Sequence, residues 1–533
     1  MALVAALAVV GLVWYVILWS IGLLGCRVAR IRYRSRPRSP LATSSQAPGV
    51  SILRPLKGLD TNLYENLEST FTQEYPNFEI ILSVAHHNDQ ALTVVRELIA
   101  KYPHVNARII IGEEVVGVNP KVNNLVRSYR EAAYDILWVI DSNISVAPGT
   151  LARSVDILCR DPSQNSSRKR IGLVHHVPFA VVHENYLGAK VEEAFLNTNH
   201  AKMYLVINSI AIESCVVGKS NLYRRSDLER VNGSLKCIKE ERQSLAGKHG
   251  LAAFGSFLAE DNMIASALWH ELDLRHDVSC DTANNAIGRM SLADYIWRRV
   301  RWIRVRKHMV LAATIAEPFT ESFVASSIAA ASLWYLFGIS PWLFFPVHLT
   351  TWLWVDFDVY ESLAGHSVHR EKQWQFISAW FIRELLALPI FLIAIFGNEV
   401  VWRGERYQVM AAGQGPLNIT GELLPTGPAI APLSINSVDK GSDTSHVTSV
   451  IDDSVTKPES QAATPTVVKN TIPIYVPPTQ APHPTFRCSF MLDSLARSET
   501  FESISTQLIT LAPPPLPLNV IASSTGLLEL STF

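Results

Sequence analysis

An α/β domain set between membrane-spanning helices is the fold this sequence predicts, and three observations predict it. From 50 to about 310, short β-rich apolar runs alternate with helix-like stretches, the pattern of a largely parallel sheet. An uncharged run over residues 2 to 26 precedes that region, and long apolar runs return beyond 310. From about 411 onward Ser, Thr and Pro dominate, with Pro513-Pro514-Pro515-Leu516-Pro517 among them, a composition poor in the apolar surface that folding buries. With 533 residues there is room for more than one unit. The expected organisation is an anchor over 1–26, a basic Pro/Ser linker over 27–49 and the α/β domain over 50–310. A membrane region over 311–410 with two to three hydrophobic segments follows, then a disordered tail over 411–533.

The anchor exceeds the roughly 20 residues that cross a bilayer. Arg27, Arg30, Arg32, Arg34, Arg36 and Arg38 follow it at once. A cleaved signal peptide would carry its basic residues first and a small-residue cleavage site last. With the basic flank second, the positive-inside rule places the residues after 27 in the cytosol and the N-terminus in the lumen. Within the domain, strands are expected at Val50–Leu53, Phe78–Val84, Arg108–Ile111, Ile136–Ile140 and Ile171–His175, and helices near 62–74, 90–101, 121–133 and 148–159. Phe323 to Val355, broken by Gly338 and Pro341, reads as two short antiparallel segments or one long tilted span. Phe376 to Phe396 contains Arg383-Glu384; charge inside a bilayer is costly, so an interfacial or re-entrant position is expected for that pair.

Composition narrows the chemistry. A formal net charge of −1 gives no reason to expect nucleic acid. Thirteen tryptophans suit interfacial anchoring. The cysteines (Cys26, Cys159, Cys215, Cys237, Cys280, Cys488) are scattered without a C-x-x-C pair, which argues against zinc and a disulfide framework and suits a domain facing the reducing cytosol.

Three aspartates and one basic aromatic cluster hold the chemistry. Asp141 ends the apolar strand Ile136–Ile140 in Asp141-Ser142-Asn143, and Asp89 follows Phe78–Val84. Ligands of open α/β sheets bind at such carboxyl ends. Asp141-Ser142-Asn143 is similar to the D-x-D element of nucleotide-sugar transferases, whose hard oxygen ligands suit Mg²⁺ or Mn²⁺; Asn143 replaces the second acid, so its carbonyl is the weaker donor. An Asx turn is the plain structural alternative. Asp89 offers a carboxylate to a uracil or ribose edge, with His86 and His87 expected to be loop residues. Asp261, in Glu260-Asp261-Asn262 ahead of the apolar Met263–Leu268, is either a helix cap or a general base. Arg298 and Arg301, three residues apart, share one helix face, pair naturally with phosphate, and stand beside Trp302, which can stack on a sugar or an acyl chain. Arg304, Arg306 and Lys307 extend the charge as a juxtamembrane belt. Lys121, Asn123 and Asn124 in the Pro120 helix start offer further contacts to a diphosphate nucleotide.

Together these stretches resemble the ceramide glucosyltransferases (glucosylceramide synthases), a membrane branch of the inverting GT-A glycosyltransferases. The resemblance covers roughly 50 to 410 and rests on Val50-SILRPLKGLD, Gly117-VNPKVNNL, Asp141-SN, Leu173-VHHVPF, Ala259-EDN, Arg298-RVRW and Trp402-RGERY. It implies a GT-A nucleotide-diphospho-sugar domain that transfers glucose from UDP-glucose to the primary hydroxyl of ceramide at the cytosolic face of the Golgi. The family's three acidic elements and its (Q/R)-x-x-R-W element fall on Asp89, Asp141, Asp261 and Arg298/Arg301/Trp302. Its acceptor-side histidine falls on His200. This chain departs from the pattern at His86 and Asn88, where acids are common, and in Cys237 to Ala252, which reads as an insertion. The implied mechanism is a single displacement: Asp89 and Lys121 hold the nucleotide, Asp141 with Asn143 positions it through Mg²⁺ or Mn²⁺, Asp261 is the base, and the arginines offset diphosphate charge. A processive polysaccharide synthase uses similar residues but needs more spans; a non-catalytic scaffold would not need all three acids. Acceptor sequons stand at Asn143, Asn165 and Asn232, and a cytosolic domain would leave them unglycosylated.

Overall fold

The computed structural model describes residues 1–160, 169–234, 247–402, 405–410 and 474–475. The Asn165 sequon, Cys237, Cys488, the 237–246 part of the expected insertion and all of the 411–533 tail except 474–475 lie outside the described residues.

Helix α1 (Ala2–Tyr33) runs through the expected anchor and well into the expected linker, because nothing in 27–33 breaks a helix. Strands and helices then alternate: β1 (Val50–Leu56), α2 (Leu63–Phe71), β2 (Phe78–Val84), α3 (Ala91–Lys101), β3 (Asn106–Ile111), α4 (Pro120–Glu131) and β4 (Ile136–Ile140). The second half of the domain is less regular: β5 (Ile144–Ser145), α5 (Thr150–Leu158), β6 (Ile171–Val182), α6 (Leu187–Phe195), α7 (Ala201–Ile210), β7 (Ser220–Arg224), α8 (Glu260–Glu271), β8 (Arg275–Ile287) and α9 (Leu292–Met309). A π-helical turn, Leu196–His200, joins α6 to α7.

The strands make one eight-stranded sheet in the order β3-β2-β1-β4-β7-β6-β8-β5. The first four pair in parallel, as expected. The other half is mixed: β7 is antiparallel to β4 and β6, β5 is antiparallel to β8, and β6 runs parallel to β8. The expectation of a largely parallel sheet therefore holds for the first half, whereas the second half mixes the parallel β6–β8 pair with antiparallel neighbours. The missed strands have a common cause. Ser220–Arg224 and Arg275–Ile287 are rich in polar residues, so neither shows the continuous apolar run of a buried parallel strand.

Both faces of the sheet are covered. Leu67, Leu92, Val95, Leu151 and Val155 close one face over Ile52, Ile80 and Trp138. Val122, Val126, Phe254, Ile264 and Leu268 close the other over Leu53, Ile81 and Leu137. Helix starts are chemically specified where the site needs them. Asn119 caps α4 by accepting the Lys121 and Val122 N–H groups, with Pro120 at the first helical position. Ser291 and Asp294 form a capping box at α9.

Beyond α9 the chain forms α10 (Ser322–Phe337), α11 (Pro341–Ala364) and α12 (Arg370–Ile395). Phe323–Val355 is thus two helices, divided where Gly338 ends α10 in a left-handed conformation at φ 69°. Helices α1 and α12, of 32 and 26 residues, are long and apolar enough to cross a bilayer; α10 is apolar but shorter. A third cluster joins this region to the domain, with Leu18, Ala29 and Tyr33 of α1, Phe179 of β6, Phe195 of α6, Trp352 of α11 and Trp380 of α12. Glycine permits the closest approach: a Cβ on Gly25 would lie 2.5 Å from the Lys202 carbonyl oxygen. Buried charges here are paired. Lys202 meets Asp356 at 2.7 Å, both fully buried, and Asp356 also accepts the Trp380 indole N–H at 2.8 Å. Arg383 pairs with Glu321 and Glu384 inside the protein, midway along a continuous α12, so the re-entrant alternative for that pair is corrected. The basic end of α1 is also partnered: Arg34 reaches Asp358 at 2.7 Å, and Arg32 reaches Asp277 of β8 at 2.7 Å.

Candidate active site

At the carboxyl ends of β1, β2 and β4 lies a cavity of about 390 Å³. Asp89, Lys121, Asp141, Asn143, Asp261, Arg298, Arg301 and Trp302 all line it, although they span more than half of the folded chain.

Asp141 stands where the turn after β4 begins. Lys121 Nζ lies 2.9 Å from one of its oxygens and Lys219 Nζ 3.1 Å from the other. Burial alone would raise this carboxyl; the two ammonium groups outweigh it and hold Asp141 at about 2. It is an anion at any physiological pH. Asn143 is held on both sides, its amide N–H given to Asn285 at 2.8 Å and its carbonyl accepting Lys219 at 3.2 Å. Beneath the turn, fully buried Arg54 of β1 donates to the Ser142 and Ile144 carbonyls at 3.3 and 3.1 Å. A buried guanidinium is expensive, so its use here shows how firmly the turn is fixed.

Lys121 is the hub. Besides Asp141 it pairs with Glu260 at 2.9 Å and donates to the Gly218 carbonyl at 3.2 Å. Burial would lower this ammonium, but Asp141, Glu260 and Asp261 together raise it well above its ordinary value. Glu260 accepts the Asn119 amide at 2.7 Å, which ties the α4 cap to the start of α8.

Asp261 is in the first turn of α8, and Ala259 is the capping residue, so Asp261 is not the helix cap. Burial, then the adjacent Glu260, pushes its carboxyl up to about 7. A carboxyl poised near 7 can take a proton at neutral pH. The backbone of Gly218 leaves room for it: a Cβ there would sit 1.2 Å from an Asp261 carboxylate oxygen.

The third wall is α9. Arg298 and Arg301 both face the cavity, and Arg298 is anchored through Nε to Glu192 at 3.0 Å. Arg301 forms no ion pair among the described residues; burial, then Arg298, pulls it down to about 10, and it remains charged. Trp302 keeps 42% of its surface exposed beside it.

Asp89, Asn123 and His200 differ in how they stand to the cavity. Asp89 lines the cavity as expected, and its oxygens also accept the N–H groups of Gly58 (2.9 and 3.1 Å) and Ala91 (2.9 Å), which fixes the loop over the site. Asn123 faces away, closing the Val116-Gly117 turn through its own amide; its neighbour Asn124 lines the cavity. His200 lies outside the cavity, stacked on Tyr204, and burial with Arg299 and Arg306 keeps it neutral at about 3. Arg54, Asp60, Glu260 and Lys219 are site residues that sequence reasoning did not select. Three stood inside quoted motifs (Arg54, Asp60 and Glu260), but no spacing rule marks a supporting residue.

An acid cluster neutralised by lysines at strand ends, facing an arginine pair on a mixed α/β sheet, is consistent with a glycosyltransferase of the GT-A fold. The model of "Glycosyl transferase family 21" matches residues 12–414. The chain belongs to glycosyl transferase family 21, and it is a glycosyltransferase. It is 36% identical to a ceramide glucosyltransferase of Komagataella phaffii, over 76% of this chain and 90% of that one. It is 32% identical to a ceramide glucosyltransferase of Candida albicans, over 75% of this chain and 95% of that one. Among solved structures, a mannosyltransferase from Pyrobaculum calidifontis aligns at 14% identity with a TM-score of 0.42, over 73% of this chain and 99% of that one.

Proposed function

We propose that this glycosyltransferase moves glucose from UDP-glucose to the primary hydroxyl of ceramide, giving β-glucosylceramide and UDP. The observation that carries this reading is a cavity that unites a carboxyl near pKa 7 with two arginines and a lysine-held aspartate, in a chain similar to ceramide glucosyltransferases. Asp261 removes the proton from the ceramide hydroxyl as its oxygen attacks the anomeric carbon. The bond from that carbon to the β-phosphate oxygen breaks on the opposite face, so configuration inverts from α to β. Lys121, Arg298 and Arg301 meet the charge that develops on the departing diphosphate, an effect that grows where water is excluded. Trp302, at the rim, packs on the sugar or lipid.

The hard oxygens of Asp141 and Asn143 fit Mg²⁺ or Mn²⁺, which would supply further charge neutralisation of the diphosphate. Any such ion competes with Lys121 and Lys219, which take both Asp141 oxygens. Adding EDTA to the assay therefore separates two cases: activity abolished and restored by Mn²⁺ establishes an obligate ion, whereas full activity in EDTA assigns charge neutralisation to the lysines.

The proposed setting is a Golgi membrane, with the catalytic domain in the cytosol and ceramide arriving laterally past the helices after 310. UDP-[¹⁴C]glucose transfer to ceramide in membranes bearing the protein tests the reaction. Labelled glucosylceramide is expected; labelled polymer, or no lipid product from folded protein, would overturn the assignment.

A further inference from the structure

Glu192 of α6 is a buried carboxylate that the mechanism above leaves unused. It is 1% exposed, yet it lies among arginines. One oxygen accepts Arg298 Nε at 3.0 Å; the other, equally buried, has no hydrogen-bond partner among the described residues. Arg299, next along α9, is held over the Phe195 ring at 3.6 Å, one helical turn on from Glu192. An ionised carboxylate in such a place is costly unless the surrounding cations compensate it. The contact geometry is specific. Because Glu192 engages Arg298 through Nε, both terminal nitrogens remain without hydrogen bonds among the described residues, on a side chain that lines the catalytic cavity.

We propose that Glu192 is a positioning residue for the transfer reaction: it fixes Arg298 so that its terminal nitrogens face the diphosphate, and its negative charge moderates the arginine pair so that UDP leaves after transfer. This rests on the reading that Arg298 and Arg301 bind a nucleoside diphosphate. The arginines must attract the diphosphate strongly while the glycosidic bond breaks, and then release a product that carries the same phosphates. A fixed opposing charge behind them weakens product binding without removing a donor from the site. A carboxylate whose sole task was to pack α6 on α9 would have no bearing on UDP affinity.

The test is the inhibition constant of UDP for the full-length protein in nanodiscs, with Glu192→Gln against wild type. Glutamine keeps the shape and an acceptor for Nε but loses the charge. The expected result is a Ki for UDP about tenfold lower, with a lower kcat, a lower KM for UDP-glucose and an unchanged KM for ceramide. In an Arg298→Ala background the same change should shift Ki by less than about twofold, because the one arginine that Glu192 contacts is gone and only its weaker, more distant effect on Arg301 is left. An unchanged or raised Ki in folded Glu192→Gln overturns the proposal, as does a shift of full size in the Arg298→Ala background. If Glu192→Gln does not accumulate, Arg298→Lys examines the pair from its other side. Lysine has no Nε–H to give, so a Ki at the wild-type value would overturn the proposal and a raised one would support it. Failure of wild-type protein to be inhibited by millimolar UDP is a separate outcome: it removes the diphosphate reading, and this proposal with it.

Discussion

Asp261 and Asp141 are both aspartates in one cavity, and their surroundings drive them in opposite directions. Lysines hold Asp141 at about 2, while burial and Glu260 lift Asp261 to about 7. A base must be deprotonated to act, so kcat/KM should rise with pH through a limb near 7 and level off above it. Asp261→Asn should cut kcat by about 10² to 10⁴ and abolish that limb. The same shift makes a stability statement. The folded protein holds this proton between the ordinary 3.8 and about 7, so the group's contribution to stability is largest at low pH and is lost as pH rises through that window. Above pH 7 the inactive Asp261→Asn protein should therefore melt at a higher temperature than wild type; a lower melting temperature would contradict the burial account. Gly218 offers a stricter test of space. A methyl carbon added at Gly218 would lie 1.2 Å from the Asp261 carboxylate, so Gly218→Ala should cost about 10²-fold or more in kcat while the protein still folds.

The helices act as clamps on the domain and on each other. Helix α1, long and apolar enough to cross a bilayer, is also tied to the rest of the protein, since Arg32 reaches Asp277 of the sheet while Arg34 reaches Asp358 of α11. Lys202, Asp356 and Trp380 link α7, α11 and α12 through a pair that water does not reach. Removing one member leaves a buried charge alone, which costs about 3–5 kcal/mol, whereas replacing the pair with apolar residues is often neutral. Asp356→Ala is accordingly expected to sharply lower the detergent melting temperature. Combining Asp356→Leu with Lys202→Met should recover most of that loss. A double variant as unstable as the single one would assign the damage to lost packing instead of lost charge balance.

For the whole molecule, orientation is the deciding property. The arginine-rich end of α1 lies on the same side as the catalytic domain, because that helix end is bonded to the sheet. If this side faces the cytosol, glycosidase treatment should leave the mobility of the protein unchanged, since Asn143 and Asn232 would never meet the glycosylation machinery. A glycan on either would place the cavity in the lumen and reverse the proposed topology.

What could be read from the sequence alone was whatever sits in a continuous stretch. The long apolar helix at the start, the strands of the parallel half, Asp141 at its strand end and the Arg298/Arg301 pair on one helix face all follow from local periodicity or spacing. Asp261 was also visible, though its reading as a cap was removed only when Ala259 took the capping position. Tertiary structure decided the rest. Lys219 and Glu260 become partners of Asp141 and Lys121 because β7 returns antiparallel beside β4 and α8 starts against the α4 cap. Asp89, readable as a ligand contact, also accepts backbone N–H groups that a linear chain does not show beside it. The physical reason is the same in each case. A residue type fixes which charges and hydrogen bonds are available, but its pKa and its partner depend on groups that folding brings within a few ångströms from far along the chain.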